Sequence, residues 1–205
     1  MIITDPDEIE KRSMEIIESN LPADVPEENK AVVKRVIHCT ADFDYAKNLT
    51  FSKDAVQKAL AALRGGCDIV TDTQMAFSGI NKAVAVKLEC NVHCFMSDPD
   101  VAEDAKKRGC TRAVVSMEKA AKLDKPLIFV IGNAPTALLK LREMIDRGEI
   151  SPRLVIGVPV GFVNIIESKD EIMETDVPYI VAKGRKGGSN VAATIVNALM
   201  YQITR

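Results

Sequence analysis

Apolar residues at helical spacing predict a helix near the start of the chain. Asp5 can cap its first turn through a side-chain oxygen. An apolar stripe follows at i, i+7 and i+8, formed by Ile9, Ile16 and Ile17. Ser13 falls on the same stripe, where its hydroxyl either bonds its own helix backbone or faces a polar site. The local pattern leaves both interpretations of Ser13 open.

A second helix is predicted over residues 27–38, and its two faces differ in character. The core-facing positions are Val32, Val33, Val36 and Ile37. Arg35 and His38 are three positions apart and share the face that points away from that core. The pattern therefore predicts a cation and an imidazole side by side on an accessible surface.

A polar segment over residues 39–52 follows the second helix and is predicted to be a loop. It carries two carboxylates, Asp42 and Asp44, close after the imidazole of the preceding helix. A third helix is predicted over 53–63, and Gly65–Gly66 ends it. Residues 5–63 are thus expected to form a set of N-terminal helices.

From residue 64 onward, short apolar runs alternate with amphipathic stretches. The runs that read as buried strands are 68–71, 85–89, 112–117, 126–132, 154–161 and 178–184. The predicted helices between them are 99–108, 117–123, 135–147, 164–174 and 189–203. This alternation predicts one α/β domain over 1–205, a three-layer fold in which a mostly parallel sheet is flanked by helices. Ligands of such folds bind beyond the carboxyl ends of the strands, where the glycine-rich turns of residues 64–205 fall.

Composition narrows the classes of partner. Hydrophobic residues make up 47% of the chain, charged residues 27%, and the net charge is −2. This is typical of a globular protein and argues against a general nucleic-acid role, which usually needs a basic excess. No apolar run approaches the length of a membrane span, and the N-terminus lacks an apolar signal core, so we expect a cytoplasmic protein.

The five cysteines are odd in number and lie mostly within apolar segments. Free thiols in a reducing compartment fit this pattern better than a disulfide framework. His93 lies between Cys90 and Cys94, but the chain offers no second spaced pair of ligands. We therefore expect no metal site there.

His38 is the candidate proton donor, because an imidazole gives and takes protons near physiological pH. The alternative is a solvated histidine at a helix C-terminus, where the helix dipole favours positive charge. Its spacing from Arg35 does not decide between the two.

Two turns between a predicted strand and a predicted helix are candidates for binding anions. In IGNAPTAL (131–138), Asn133 can cap the helix, and free backbone N–H groups can hold a carboxylate. Three positive charges lie in KGRKGGSN (183–190), at Lys183, Arg185 and Lys186. The alternatives are plain capping and a solvated basic turn. Neither turn has the Walker A or GxGxxG pattern of nucleotide-binding loops.

Four segments, in this order along the chain, resemble the precorrin-8X methylmutase family. They are RVIHCTADFDY (35–45), IGNAPTAL (131–138), PVGFVN (159–164) and KGRKGGSN (183–190). GGCDIVTDTQMAFSGI (65–80) and the pair Arg12–Ser13 fit the same family. The resemblance implies a homodimeric isomerase of cobalamin biosynthesis with a parallel α/β sheet and no cofactor. Its reaction would move a methyl group from C11 to C12 of precorrin-8X or cobalt-precorrin-8, giving hydrogenobyrinate or cobyrinate.

The resemblance also suggests roles for particular residues. The family's catalytic histidine maps to His38, and its substrate-binding serine and arginine map to Ser13 and Arg35. Two departures are Cys39, where the pattern leads us to expect threonine, and Ile165–Ile166, where it leads us to expect small residues.

The implied substrate is a large tetrapyrrole with several acidic arms. A chain of net charge −2 must meet those arms with local positive charge and open helix starts. The candidates for this are Arg12, Arg35, Lys183, Arg185, Lys186 and Asn133. We expect His38 to act as a general acid toward the macrocycle. Two alternatives stay open, a corrinoid carrier without catalysis and a phosphate- or nucleotide-binding α/β enzyme that uses residues 183–190.

Overall fold

A computed structural model describes residues 2–204 as helices packed on both faces of one sheet. In chain order, the N-terminal elements are α1 (Pro6–Asn20), α2 (Glu27–Thr40), α3 (Tyr45–Asn48), β1 (Leu49–Phe51) and α4 (Ala55–Arg64). The next are β2 (Asp68–Thr71), α5 (Gln74–Gly79), α6 (Lys82–Lys87), β3 (Asn91–His93), α7 (Pro99–Arg108) and α8 (Arg112–Ala120). The last are β4 (Leu127–Ile131), α9 (Pro135–Asp146), β5 (Leu154–Gly157), α10 (Ile165–Met173), β6 (Tyr179–Ala182) and α11 (Ser189–Thr204).

The six strands form a single sheet in the order β1-β6-β5-β4-β2-β3. All neighbouring pairs are parallel except β1 with β6, which is antiparallel with Leu49 opposite Ala182. The chain is therefore the three-layer α/β domain that the alternating pattern predicts.

The central strand β4 shows why these strands are continuously apolar. Ile128 and Val130 point into a core layer shared with α2, α4 and α11, whereas Phe129 and Ile131 point into a layer shared with α8 and α9. Successive side chains of a strand alternate between faces, so a strand covered on both faces needs an apolar residue at every position.

Two predicted strands are wrong, since residues 85–89 and 112–117 lie in α6 and α8. The Asn81 side chain accepts a hydrogen bond from the backbone N–H of Val84 and caps α6, and Thr111 caps α8 by accepting from Val114. A short apolar run fits a strand or a buried helix equally well, and here the capping residue decides.

The sequence pattern did not predict either edge strand, β1 or β3. β1 and α3 lie within residues 39–52, which the polar composition predicts to be a loop, and β3 begins at Asn91 rather than within 85–89. Each edge strand has only three residues, too few to show a periodic pattern.

The apolar stripe predicted for α1 is only partly buried. Ile17 is 6% exposed, but Ile9 and Ile16 remain 44% and 47% exposed. Because α1 makes its main contacts with α2, one side of its stripe contacts the protein and the other faces outward. The Ser13 hydroxyl donates to the backbone oxygen of Ile9 at 2.8 Å, so of the two interpretations the backbone bond is present.

Among the described helices, none combines the length and the hydrophobicity that crossing a membrane would require. All five cysteines are free thiols. Cys67 and Cys90 are buried as expected, whereas Cys39 is exposed and the other two are half-buried.

Candidate active site

The carboxyl ends of the parallel strands bring together the turns that stand out in the sequence. The segments that follow β2, β4, β5 and β6 are 72–73, 132–134, 158–164 and 183–188, and they lie at one edge of the sheet. This is the edge at which α/β folds bind their ligands.

Asp72 holds the turn after β4 in place. Its buried carboxylate accepts hydrogen bonds from the backbone N–H groups of Gly132, Asn133 and Ala134 at 2.8, 2.8 and 2.6 Å. Burial raises the pKa of Asp72, although the three backbone bonds act in the opposite direction. An internal anion therefore already occupies the N–H groups that the sequence suggested for an external one.

The N-cap of α9 is Ala134, so the prediction that Asn133 caps this helix is wrong by one residue. The shift follows from the Asp72 carboxylate, which satisfies the amides that a capping side chain would otherwise serve. The Asn133 side chain is exposed at the rim of the same edge.

The turn after β4 packs directly against the start of α11. A Cβ added at Gly132 would lie 2.7 Å from the Cα of Ser189, so only glycine fits there. The hydroxyls of Thr73 and Ser189 are 2.7 Å apart and join the end of β2 to the same helix start. The first turn of α11 is thus fixed relative to the sheet.

The loop 183–188 connects β6 to α11 and carries the predicted cations. A Cβ at Gly187 would lie 2.1 Å from the backbone oxygen of Val158, so the loop can press against the segment after β5. Lys183 and Arg185 are exposed, and no ion pair within residues 2–204 involves either side chain. Both charges are free to meet an anion.

Lys186 differs from its two neighbours. Its Nζ contacts Oδ2 of Asp42 at 2.6 Å and Oδ2 of Asp44 at 2.7 Å. These bonds raise the pKa of Lys186, and the Lys186 bond lowers the pKa of Asp42. The acidic segment after α2 therefore ties down the basic loop, and Lys186 already has two anionic partners.

A buried lysine that the sequence pattern did not reveal donates hydrogen bonds to the backbone of the basic loop. Lys169 on α10 has no exposed surface, and its Nζ donates to the backbone oxygens of Gly184 and Lys186 at 2.7 and 2.9 Å. Burial lowers the pKa of Lys169 to about 8. A signal was present, because Lys169 lies four residues after Ile165 and three before Ile172, on the buried stripe of its helix.

His38 lies exposed near the end of α2, in a groove between α2 and α11. The groove has a volume of about 230 Å³ and is lined by Arg35, His38, Cys39, Thr194, Asn197, Ala198 and Tyr201. The Nδ2 atom of Asn190, in the first turn of α11, lies 3.8 Å from Sγ of Cys39. This contact places Cys39, the neighbour of His38 in sequence, beside the helix start that the basic loop leads into, whereas the groove around His38 is lined by α11 from Thr194 onward.

The structure brings some predicted site residues together and leaves others apart. Arg35 shares the groove with His38 and also pairs with Glu10 at 2.7 Å. Arg12 pairs with Glu15 at 3.1 Å within α1, and Ser13 bonds its own helix. Among the described contacts, none joins Arg12 or Ser13 to His38 or to the basic loop.

The site is open rather than enclosed. The groove beside His38 is smaller than the roughly 300–1,000 Å³ typical of ligand pockets. The segment after β5 exposes apolar side chains, with Phe162 85% and Val163 74% accessible. A larger cavity of about 630 Å³ lies at the opposite edge, near Lys58, Pro126 and Arg153, where the strands begin and no histidine is present.

The described residues contain no cluster of three or more His, Cys, Asp or Glu side chains that could hold a metal. His93 instead stacks on Phe95, and its Nε2 lies 3.2 Å from Oδ1 of Asp68. The segment 90–94 therefore contains the edge strand β3 of the sheet, and His93 packs within it.

Comparison with known proteins identifies the family. The family model of precorrin-8X methylmutase matches residues 8–202. A cobalt-precorrin-8 methylmutase of Leptospira interrogans is 45% identical over 202 residues, which cover 94% of this chain and 91% of that protein. A cobalt-precorrin-8 methylmutase of Salmonella typhimurium is 47% identical over 176 residues, covering 85% of this chain and 82% of that one. The crystal structure of a precorrin-8X methyl mutase from Thermus thermophilus aligns with a TM-score of 0.87 at 36% identity, covering 96% of this chain and 97% of that one. As the motif resemblance predicts, the chain belongs to the precorrin-8X methylmutase family.

Proposed function

We propose that this protein moves a methyl group from C11 to C12 of precorrin-8X or cobalt-precorrin-8, with His38 as the general acid. Membership of the family makes the chain a methyl-shifting isomerase of cobalamin biosynthesis. The observation that carries the finer proposal is the position of His38. An exposed imidazole lies in the groove between α2 and α11, and the neighbouring Cys39 contacts the first turn of α11. The loop leading into that helix presents two cations that form no ion pair in the described chain.

The chemistry asks little of the protein beyond binding and a proton. A methyl shift within one molecule conserves the atoms and electrons of the substrate, so no nucleophile or hydride carrier is consumed. A proton held near a ring nitrogen stabilises the charge that develops as the conjugation reorganises. General acid catalysis of this kind contributes about 10²–10⁴-fold. Of the two histidines, His38 lines the groove between α2 and α11, whereas the side chain of His93 contacts Asp68 at the start of β2.

Positive charge at the rim supports binding of the acidic arms. Lys183 and Arg185 are exposed and unpaired in the described chain, and Arg35 lines the groove beside His38. The first turn of α11 adds the positive end of a long helix dipole. Bidentate contacts from the arginines suit carboxylates in particular.

The other residues proposed from the sequence have weaker geometric support. Lys186 would have to exchange Asp42 and Asp44 for a substrate carboxylate, and its present contacts fit a role in shaping the loop. Asn133 contributes an exposed amide at the rim. Arg12 and Ser13 lie on α1, and they reach the substrate only if the macrocycle extends along the groove past Arg35.

We infer that a second copy of the chain completes the site. A groove of about 230 Å³ cannot enclose a tetrapyrrole, and apolar side chains stand exposed on both α1 and the segment after β5. Closed two-fold dimers are the commonest soluble assemblies, and a second copy would cover such surfaces. Light scattering should give a mass of two chains. A monomer with full turnover would contradict this part of the proposal.

The decisive experiment replaces each of the two histidines in turn. We expect His38→Ala to lose turnover of precorrin-8X by about 10²–10⁴-fold, measured by the absorbance of the corrin product. It should still bind hydrogenobyrinate in a spectral titration, because the cations remain. His93→Gln is the matched control, since the His93 side chain contacts Asp68 at the start of β2, and it should keep turnover. Normal turnover by His38→Ala would defeat the assignment.

The same assays separate the alternatives. A carrier would bind the product tightly, while the wild-type protein would show no turnover of precorrin-8X. A nucleotide-dependent enzyme would be stabilised against heat by a nucleotide. Because Lys186 pairs with Asp42 and Asp44, only Lys183 and Arg185 of the loop 183–188 are free to bind the phosphates of a nucleotide, which weakens this alternative.

A further inference from the structure

Two buried cysteines meet at the amino ends of β2 and β3, at the edge of the sheet opposite the proposed active site. Asp68 lies opposite Asn91 in the parallel register, so Cys67 and Cys90 form the next pair outward. The backbone N–H of Asn91 donates to the oxygen of Cys67 at 3.1 Å, which holds the two segments side by side. The two sulfur atoms are 3.5 Å apart. A contact this short needs only a small movement to become a bond.

The local charges favour one of the two thiols as the nucleophile. The hydrogen bond with Cys67 lowers the pKa of Cys90 to about 7, and the nearby Lys125 ammonium acts in the same direction. The same hydrogen bond, together with burial, raises the pKa of Cys67. The Nζ atom of Lys125 donates to the backbone oxygen of Glu89 at 2.9 Å, which keeps the cation next to Cys90.

The segment around Cys90 has a route for a small reagent. Cys90 is 3% exposed and precedes β3, an edge strand of only three residues. Gly66 and Glu89, the residues before the two cysteines, adopt left-handed conformations with φ of 70° and 55°. Short edge strands open locally at low cost, and such opening would admit a molecule of the size of hydrogen peroxide.

We propose that Cys67 and Cys90 form a disulfide when the protein meets a two-electron oxidant such as hydrogen peroxide. The Cys90 thiolate attacks one peroxide oxygen, the O–O bond breaks, and the departing hydroxide takes up the proton that Cys90 released. The sulfur of Cys67 then attacks the resulting sulfenic acid, the S–S bond forms, and water leaves with the proton of Cys67. Two thiols lose two electrons, and one peroxide becomes two waters.

The bridge would act on the sheet edge. It would join β2 to β3 and close a loop over residues 67–90 that contains α5 and α6. Cross-linking a loop of this size constrains the unfolded chain, so the melting temperature should rise by about 5–10 °C. It would also protect the two buried thiols from oxidation to sulfinic acid, which cells seldom reverse.

The test uses the full chain treated with hydrogen peroxide and then with N-ethylmaleimide in denaturant. We expect three of the five cysteines to be labelled. Before labelling, the intact mass should be two hydrogens lower than that of the reduced protein. Trypsin should release peptides 65–82 and 88–106 joined by a disulfide. Labelling of all five thiols, or linkage only between chains through the exposed Cys39, would overturn the proposal.

Peptide 88–106 also contains Cys94, so variants must locate the bond. The link should persist in Cys94→Ser and disappear in Cys90→Ser. A link that disappears in Cys94→Ser and persists in Cys90→Ser would reject the assignment to Cys90. If one variant folds poorly, the linked peptides of the wild-type protein still test the proposal. Dithiothreitol should reverse both the link and the rise in melting temperature. A linked protein that melts no higher than the reduced one would refute the stabilising role.

Discussion

The two glycine-containing loops at the carboxyl edge are built on opposite charges. After β4, the Asp72 carboxylate sits inside the turn and accepts from three backbone N–H groups. After β6, the Lys169 ammonium sits inside the loop and donates to two backbone oxygens. The Asp72 carboxylate occupies the backbone N–H donors of its turn, so they cannot bind another anion. The Lys169 ammonium occupies backbone oxygens of the loop 183–188 instead, and the cationic side chains of Lys183 and Arg185 face solvent. The first loop is therefore a structural anchor, and the second presents the surface that we propose binds the substrate.

Replacement of Asp72, which anchors the turn after β4, should have the largest effect on stability. Replacing Asp72 by Ala leaves two buried N–H groups and one partly buried N–H group without an acceptor, and each buried one costs about 1–3 kcal/mol. The free energy of unfolding should fall by about 3 kcal/mol or more, measured by urea denaturation.

Asp72→Asn keeps one acceptor oxygen and should lose about half as much as the alanine variant. Asp44→Asn serves as a control of the same charge change at the surface. If Asp72→Ala unfolds at the wild-type urea concentration, the internal carboxylate is not an anchor.

The buried lysine should show itself in the pH dependence of stability. The pKa of Lys169 is lowered to about 8 in the folded protein, against roughly 10.4 in the unfolded chain. Between these values the unfolded chain binds more protons, so stability from this group rises with pH in that window. The neutral amine keeps two N–H donors for Gly184 and Lys186.

Lys169→Met removes that group, so the wild-type protein should gain on the variant by about 2 kcal/mol between pH 8 and 10.5. Urea unfolding at several pH values measures this. Equal pH profiles for both proteins would show that the lysine is not buried as a charge.

The free cations of the basic loop should affect binding more than chemistry. Lys183→Ala and Arg185→Ala should each raise KM about tenfold with little change in kcat, because the charges hold parts of the substrate that do not react. The difference from wild type should shrink in high salt. Lys107→Ala, on the remote helix α7, is the matched control. A fall in kcat without a change in KM would place these residues nearer the chemistry.

Weakening the exposed ion pairs of Lys186 with Asp42 and Asp44 should have the smallest effect on stability. Asp44→Asn removes one of the two partners of Lys186, and exposed ion pairs are worth about 0–1 kcal/mol. We expect a change in unfolding free energy of about 0.5 kcal/mol or less. A loss as large as that of Asp72→Ala would mean that the comparison between the loops has been drawn wrongly.

The sequence predicts the features that depend on local pattern. Strands β2, β4, β5 and β6 are covered on both faces and read as apolar runs, so the parallel sheet and its carboxyl edge follow from the pattern. α6 and α8 do not follow, because their apolar runs are short and only the capping side chains of Asn81 and Thr111 distinguish them from strands.

The candidate site divides in the same way. The exposed cations Lys183 and Arg185 are recognisable from composition near a helix start. The roles of Asp72 and Lys169 are not, because each depends on backbone groups that are distant along the chain. Short-range pattern gives the charge of a loop but not which of its polar groups are already satisfied.

The packing of α11 has a consequence for how the chain reaches its native state. This helix makes its most extensive contacts with α2 and also covers α4 and α5, all of which precede it by most of the chain. The apolar faces of those helices therefore stay unprotected during synthesis until α11 has emerged. Contacts between such distant segments slow folding and lengthen the time in which aggregation competes. We expect nascent chains that lack α11 to depend on chaperones.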